Sequence, residues 1–140
     1  MAALPPAVAQ TSAVSPSAAR AQLASGVVNW DTLAAVQTKV GERRAVFDAP
    51  TATLDNLECH VTTVNPGESP HPSHHHPDEE LIVLREGTLD VTINGRTQRA
   101  GPGAVIFFRS NEIHGLRNNG TTRATYYVFR FITPLTPLAR

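Results

Sequence analysis

The sequence predicts an all-β domain, built as an antiparallel sandwich or barrel. Short apolar stretches alternate with turn residues about every ten positions, which is typical of this fold class. No helical period competes with the strand pattern beyond residue 57. The chain has 140 residues, 41% of them hydrophobic, which is enough to bury the core of one domain.

Six strands are predicted from residue 57 onward. Residues 81–84 form a continuous apolar run, which is typical of a strand buried on both faces. Residues 88–93 alternate between apolar and polar side chains, and Asn94-Gly95 after them favours a tight hairpin turn. Residues 30–39 are too short to distinguish a short helix from an irregular edge segment. The predicted strands are 57–64, 81–84, 88–93, 96–100, 104–108 and 124–132.

The first 26 residues differ from the rest in composition. They are rich in Ala, Ser and Pro, and Arg20 is their only charged residue. This composition predicts a flexible or draped arm over residues 1–26 and one domain over residues 27–140. Ala7-Val8-Ala9 has the small-x-small pattern of a signal-peptidase site, but no basic region or full apolar region precedes it. The arm is therefore either the remnant of an export signal or a plain extension, and the compartment is open between cytoplasm and periplasm.

Charge and hydropathy limit the classes of partner. Twelve basic residues balance twelve acidic ones, without the basic excess that nucleic-acid binding needs. No apolar stretch approaches the roughly 20 residues of a membrane span. The single cysteine, Cys59, excludes an intrachain disulfide and a cysteine-cluster zinc site. We therefore expect neither a nucleic acid nor a membrane as the partner. Open sheet edges predict a homodimer, with the arm draped over the partner.

Histidines are concentrated in one short segment, because four of the six lie between residues 71 and 76. In an extended chain, His74 and His76 point to the same side, about 6–7 Å apart, and His75 points away. Glu80 begins a buried strand, where a carboxylate is costly unless a cation pairs with it. His114 is a fourth candidate ligand. The alternative is a solvated, histidine-rich loop that binds metal adventitiously.

The pattern resembles the two conserved motifs of the cupin superfamily, in the form of a small single-domain monocupin. Residues 67–87, which read Gly67…His74-x-His76-x3-Glu80-x6-Gly87, are similar to the first motif. Residues 101–118, which read Gly101…His114-x3-Asn118, are similar to the second. Two departures concern loop shape: six residues separate Gly67 from His74, and the proline of the second motif is displaced.

The resemblance implies a cupin-type jelly-roll β-barrel that binds one divalent transition metal through His74, His76, Glu80 and His114. Three imidazoles and one carboxylate without a thiolate suit Mn(II) or Fe(II), with Ni, Co, Cu and Zn as alternatives. An incompletely filled metal shell implies an oxidoreductase of the dioxygenase type that acts on a small organic molecule. The alternatives are a non-redox lyase, isomerase or hydrolase, and a non-catalytic protein that binds a metal or small ligand.

Further residues are candidates for supporting roles. His71 and His60 are the candidate catalytic residues, because imidazole exchanges protons near neutral pH. His71 could equally be a solvated loop residue, and the sequence does not say whether His60 faces the barrel interior or solvent. The remaining candidates are Asp78 or Glu79 to orient a ligating imidazole, Asn118 to pin a turn, and Arg85, Arg117 or Arg130 to bind an anionic substrate.

Overall fold

A computed structural model describes residues 19–139 and shows an antiparallel all-β jelly-roll barrel, which confirms the predicted fold class. Within these residues the only helix is a single 3-10 turn at Trp30–Thr32, and no helix is long and apolar enough to cross a membrane. The strands are β1 (Val36–Thr38), β2 (Gly41–Ala49), β3 (Asn56–Val64), β4 (Glu79–Glu86), β5 (Leu89–Ile93), β6 (Arg96–Ala100), β7 (Val105–Phe108), β8 (His114–Arg117) and β9 (Ala124–Ile132).

The strands form two sheets whose inner faces enclose the core. The larger sheet has the order β1-β2-β3-β9-β4-β7, and the smaller has the order β6-β5-β8. Because side chains alternate along a strand, every second residue of each strand points into the barrel. The apolar core consists of Val64, Ile82, Leu84, Leu89, Val91, Ala100, Ile106, Phe108, Leu116, Ala124, Tyr126 and Val128.

The six predicted strands correspond to β3, β4, β5, β6, β7 and β9, with ends that differ by at most two residues. The prediction that 81–84 is buried on both faces is wrong. Ile82 and Leu84 are fully buried, but Leu81 and Val83 are only half-buried on the outer face of the large sheet. A continuous apolar run therefore marks a strand whose outer face is only partly covered.

Three strands were not predicted, and each has a physical reason. β2 carries charged residues that pair on the sheet, with Arg43 bound to Glu58 and Arg44 bound to Glu42. β8 is only four residues long and contains Gly115. Residues 30–39 hold both of the alternatives left open by the sequence, because the 3-10 turn is followed by the edge strand β1.

The described part of the N-terminal arm, residues 19–26, contains no strand or helix. It lies along its own chain, where the guanidinium of Arg20 donates to Oδ1 of Asn56 at 2.9 Å and the amide of Leu23 donates to the carbonyl of Pro50 at 2.8 Å. The Ala7-Val8-Ala9 pattern lies outside the described residues. The division into arm and domain stays a prediction.

Asn118 pins the turn after β8, as expected. Its amide is fully buried and donates to the carbonyls of Val64, at 2.9 Å, and Thr122, at 2.8 Å. Its side-chain oxygen accepts from the amide of Gly120 at 3.0 Å. One buried side chain thus ties the end of β3 to the loop that leads into β9.

Two turn glycines offer a matched test of packing at the end of β4. Gly87 and Gly95 have nearly equal positive φ angles, 81° and 80°. A Cβ at Gly87 would lie 2.5 Å from the carbonyl oxygen of Arg123, whereas a Cβ at Gly95 would meet nothing within 4 Å. Gly95→Ala should therefore lower the free energy of unfolding by about 1–2 kcal/mol through backbone strain alone.

Gly87→Ala should lower the free energy of unfolding by a further ~1–3 kcal/mol, because backbone atoms must also move. Urea unfolding followed by Trp30 fluorescence measures both variants. Equal losses would show that the contact with Arg123 is not tight.

Candidate metal centre

The backbones of His74 and His114 pair directly and bring the two histidine-containing segments together. The amide of His74 donates to the carbonyl of His114 at 3.0 Å, and the amide of His114 donates back at 2.9 Å. The next residue, Gly115, lies directly against Ser73. A side chain at this position would collide, because a Cβ there would lie 2.5 Å from the Ser73 Oγ. The loop before β4 thus adds to the edge of the small sheet at β8.

Three imidazoles converge where these segments meet. The ring centroids are 4.8 Å apart for His74 and His114, 5.0 Å for His76 and His114, and 5.3 Å for His74 and His76. One ring nitrogen of each lies within 4.8 Å of the others. Oε2 of Glu80 lies 3.3 Å from Nε2 of His76. The structure therefore brings together three of the four predicted ligands, His74, His76 and His114, and places Glu80 against one of them, while His75 is exposed.

The donor set fits a divalent cation. Nδ1 of His76 donates to the carbonyl of Asp78, and Nδ1 of His114 donates to the carbonyl of Glu112, both at 2.8 Å. In the neutral imidazole, which is the form that binds a metal, these bonds place the proton on Nδ1 and leave the Nε2 lone pair for the cation. Both Nε2 atoms, and Nδ1 of His74, are buried without a hydrogen-bond partner within residues 19–139. Buried lone pairs are costly when unsatisfied, and a cation held by these residues would remove that cost.

Burial and neighbouring carboxylates set the charges of the cluster. Burial lowers the pKa of His74 and the pKa of His114, which favours the neutral imidazoles that bind metals. The carboxylates of Asp78 and Glu80, each 3.3 Å from a ring nitrogen of His76, raise the pKa of His76 to about 9. A bound cation would therefore replace a proton that His76 holds at neutral pH in the metal-free protein.

Asp78 contacts His76 on the Nδ1 side of the imidazole ring. Its carboxylate lies 3.3 Å from Nδ1 of His76 and accepts from Arg130 at 2.6 Å (Nε) and 3.0 Å (Nη2). Burial alone would raise the pKa of Asp78, but the bonds from His76 and Arg130 hold that pKa well below its usual range. Of the two carboxylates proposed to orient an imidazole, Asp78 makes the contact, whereas Glu79 is exposed.

Phe108 holds the third imidazole and was not anticipated. Its ring is fully buried and stacks on His114, with centroids 3.9 Å apart and planes 12° apart. Phe108 is opposite Glu80 in the register of β4 and β7, so both point into the barrel. The sequence placed Phe108 in a predicted strand, but nothing in the sequence distinguished it from the other aromatic residues of the core.

An open cavity of about 1320 Å³ lies over the imidazoles and extends past the edge of the small sheet. His60 and Arg130 line its wall on the inner face of the large sheet. His71 lies at its rim, exposed, with its ring centroid 4.2 Å from that of His74.

The three arginines considered for anion binding lie in different places. Arg130 is engaged by Asp78, and Arg117 is on the face of β8 opposite to His114. Arg85 stacks on the ring of Trp30, 4.0 Å from its centroid, outside the cavity. The structure therefore brings Arg130 and Arg117 to the wall of the cavity, and of these only Arg130 is bound to Asp78 beside the cluster.

Removing the carboxylate of Asp78 should weaken metal binding without removing a ligand. We expect Asp78→Asn to lower the affinity for Mn(II) or Co(II) by about 10–100-fold, because His76 loses its charged partner. The neighbouring exposed Glu79→Gln is the matched control and should leave the affinity unchanged. Titration in competition with a chromophoric chelator measures both. Equal affinities for the two variants would argue against the orienting role of Asp78.

The comparisons with known proteins agree with this architecture. A family model described as "Cupin domain" matches residues 60–130, just over half of the chain. Among curated proteins, none matches the sequence. An RmlC-like cupin from Shewanella frigidimarina is 14% identical with a TM-score of 0.65, and the alignment covers 82% of this chain and 97% of that one.

Two further solved structures share the fold at low sequence identity. The polyketide cyclase RemF from Streptomyces resistomycificus is 24% identical with a TM-score of 0.65, with 84% of each chain covered. A predicted oxalate decarboxylase from Thermotoga maritima is 19% identical with a TM-score of 0.62, and the alignment covers 76% of this chain and 99% of that one. With its family model and its jelly-roll architecture in agreement, the chain belongs to the cupin family.

Proposed function

We propose that this cupin is a metal-dependent enzyme that acts on a small organic molecule, and that its reaction is an oxidation of the dioxygenase type. The observation that carries this proposal is the convergence of His74, His76 and His114, with Glu80 beside them, at an open cavity. The cavity of about 1320 Å³ is ample for a small organic substrate, since ligand pockets usually measure about 300–1,000 Å³.

The proposed cofactor is one Mn(II) or Fe(II) ion per chain, held by the three imidazoles and Glu80. Imidazole and carboxylate ligands without thiolate suit these ions. When bound, such an ion supplies a Lewis-acidic and redox-active centre for substrate and O₂. The chain itself contributes the fixed tautomers of His76 and His114, whose Nδ1 protons are held by carbonyls.

The cavity walls would bind and shield the substrate. Phe108, Val128 and Tyr126 form a buried apolar part of the lining that excludes water from one side. Burial raises the pKa of Tyr126, so its hydroxyl keeps its proton across the physiological range. His71 at the rim is our candidate for exchanging protons between the cavity and solvent.

Oxygen uptake tests the proposed reaction. Protein loaded with Fe(II) or Mn(II) should consume O₂ in the presence of at least one member of a panel of catechols, 1,2-diols and 1,3-diketones. His114→Ala should lose this uptake together with the metal. The exposed His75→Ala, in the same histidine-rich segment, is the matched control and should retain both.

Two outcomes would contradict an oxidation. Turnover of a panel compound without O₂ would assign a non-redox lyase, isomerase or hydrolase. Metal bound at one ion per chain, without turnover of any compound, would favour a binding protein. Product analysis by NMR under air and under argon distinguishes these outcomes.

We also propose that the protein is a homodimer that pairs through the outer face at β7. This strand is one of the two edges of the large sheet, and two of its apolar side chains, Val105 and Phe107, are 66% and 51% exposed. An exposed apolar edge strand invites pairing with another chain. A second copy of this chain would cover it.

Substitution at the two edges of the same sheet tests the dimer. The unmodified protein should elute as a dimer in size-exclusion chromatography with light scattering, and Phe107→Lys should shift it toward the monomer. Val36 on the opposite edge strand β1 is 64% exposed, and Val36→Lys is the matched control. A dimer that survives Phe107→Lys but not Val36→Lys would place the interface at β1 instead.

A further inference from the structure

We propose that His60 and Glu58 form a proton-transfer pair, in which Nε2 of His60 removes a proton from a hydroxycarbonyl substrate in the cavity. The inference rests on the proposed function for substrate binding at the metal centre, but not on oxidation. It assigns a direction to His60, which the sequence left open, and adds two residues that sequence reasoning missed, Glu58 and Arg43.

Strand register places the pair on the inner face of the large sheet. Glu58 of β3 lies opposite Arg130 of β9, which in turn lies opposite Glu80 of β4. Residues opposite each other in a sheet share a face, so Glu58 and Glu80 point to the same side. His60 is two residues after Glu58 on the same strand and therefore shares that face, where it lines the cavity.

The contact between the two side chains fixes the tautomer of His60. Nδ1 of His60 lies 2.7 Å from Oε1 and 3.0 Å from Oε2 of Glu58. An ionised carboxylate can only accept a hydrogen bond, so Nδ1 carries a proton, and in the neutral imidazole Nε2 then carries the lone pair. Within residues 19–139, no hydrogen bond occupies that Nε2. This is the tautomer that a general base needs.

Charged groups on the neighbouring strands lie around Glu58. From β2, Nη2 of Arg43 donates to Oε1 of Glu58 at 2.9 Å. From β9, Arg130 lies opposite Glu58 and is itself bound by Asp78. The side chains of Glu58 and His60 are only 14% and 16% exposed, so little water competes for these bonds. Arg43 and Glu58 are positioning residues, and His60 is the group that would touch the substrate.

The sheet geometry restricts the substrate. β3 is separated from β4 by β9, so Glu58 and Glu80 are about 10 Å apart at their backbones, from the usual spacing of two strands. Both side chains point inward and shorten this gap. A substrate that reaches the metal centre with a carbonyl and hydroxyl pair can therefore present a neighbouring C–H or O–H group to His60.

The proposed step conserves atoms and charge. The Nε2 lone pair of His60 forms a bond to the substrate proton, and the electron pair of the broken C–H bond moves into the carbonyl to give an enolate. The imidazolium formed is balanced by the carboxylate of Glu58. Return of the proton, or of a deuteron from solvent, restores the neutral imidazole.

Hydrogen–deuterium exchange into a hydroxyketone tests this step without oxidation. The full chain is loaded with Zn(II), which has no redox chemistry, and incubated in D₂O with 2-hydroxy-1-phenylethanone. Proton NMR should show loss of the CH₂ signal, faster than with the metal-free protein. His60→Gln should slow this exchange by about 10²–10⁴-fold, the usual contribution of a general base. The exposed His75→Gln should leave the rate unchanged.

A second measurement separates a positioning role of Glu58 from a merely structural one. Nitrogen-15 NMR of the imidazoles should show His60 protonated at Nδ1 in the unmodified protein and a mixture of tautomers in Glu58→Gln. Zinc content is measured for every variant. Failure of the unmodified protein to bind zinc would overturn the proposed function. Zinc binding without exchange, or exchange that survives His60→Gln, would overturn the proton-transfer pair alone.

Discussion

The metal centre depends on one backbone interaction, the reciprocal pair of hydrogen bonds between His74 and His114. These residues are forty positions apart in the sequence, and closing so long a loop costs conformational entropy. The strand pairing of the two sheets offsets this loss of entropy, because β4 pairs with β9 and β5 pairs with β8. With that pairing, the three imidazoles lie with their ring centroids 4.8–5.3 Å apart. The barrel thus brings two distant segments of the sequence together into one ligand cluster.

Neighbouring carboxylates determine the orientation and charge of the imidazoles. Asp78 is buried between His76 and Arg130, so the cluster and the cavity wall share one charged network. Buried charges are stable only when they are paired, and this pairing fixes both partners in space. A change in Arg130 would therefore affect the metal centre through Asp78, which binds Arg130 on one side and lies against His76 on the other.

The local features of the site could be predicted from the sequence, whereas the features that depend on register could not. His74 and His76 share a side because they are two residues apart in an extended segment, and Glu80 enters a buried strand. The inward direction of His60 follows only when β3 is aligned with β9. β2 was not predicted because its charged residues form ion pairs on the sheet, so the strand lacks the alternation of apolar and polar residues that identified the others. The stacking of Phe108 on His114 likewise needs the packing of the two sheets.

Two series of side chains, each made of an arginine, a carboxylate and an imidazole, lie on the inner side of the large sheet. In one, Arg130 holds Asp78, which holds Nδ1 of His76; in the other, Arg43 holds Glu58, which holds Nδ1 of His60. Both leave Nε2 as the free nitrogen, but their surroundings differ. Nε2 of His76 faces two further imidazoles and a carboxylate, whereas Nε2 of His60 faces the cavity. A lone imidazole cannot hold a metal ion in competition with four ligands, but it can accept a proton. The same arrangement of arginine, carboxylate and imidazole therefore supports metal binding at one wall and proton transfer at the other.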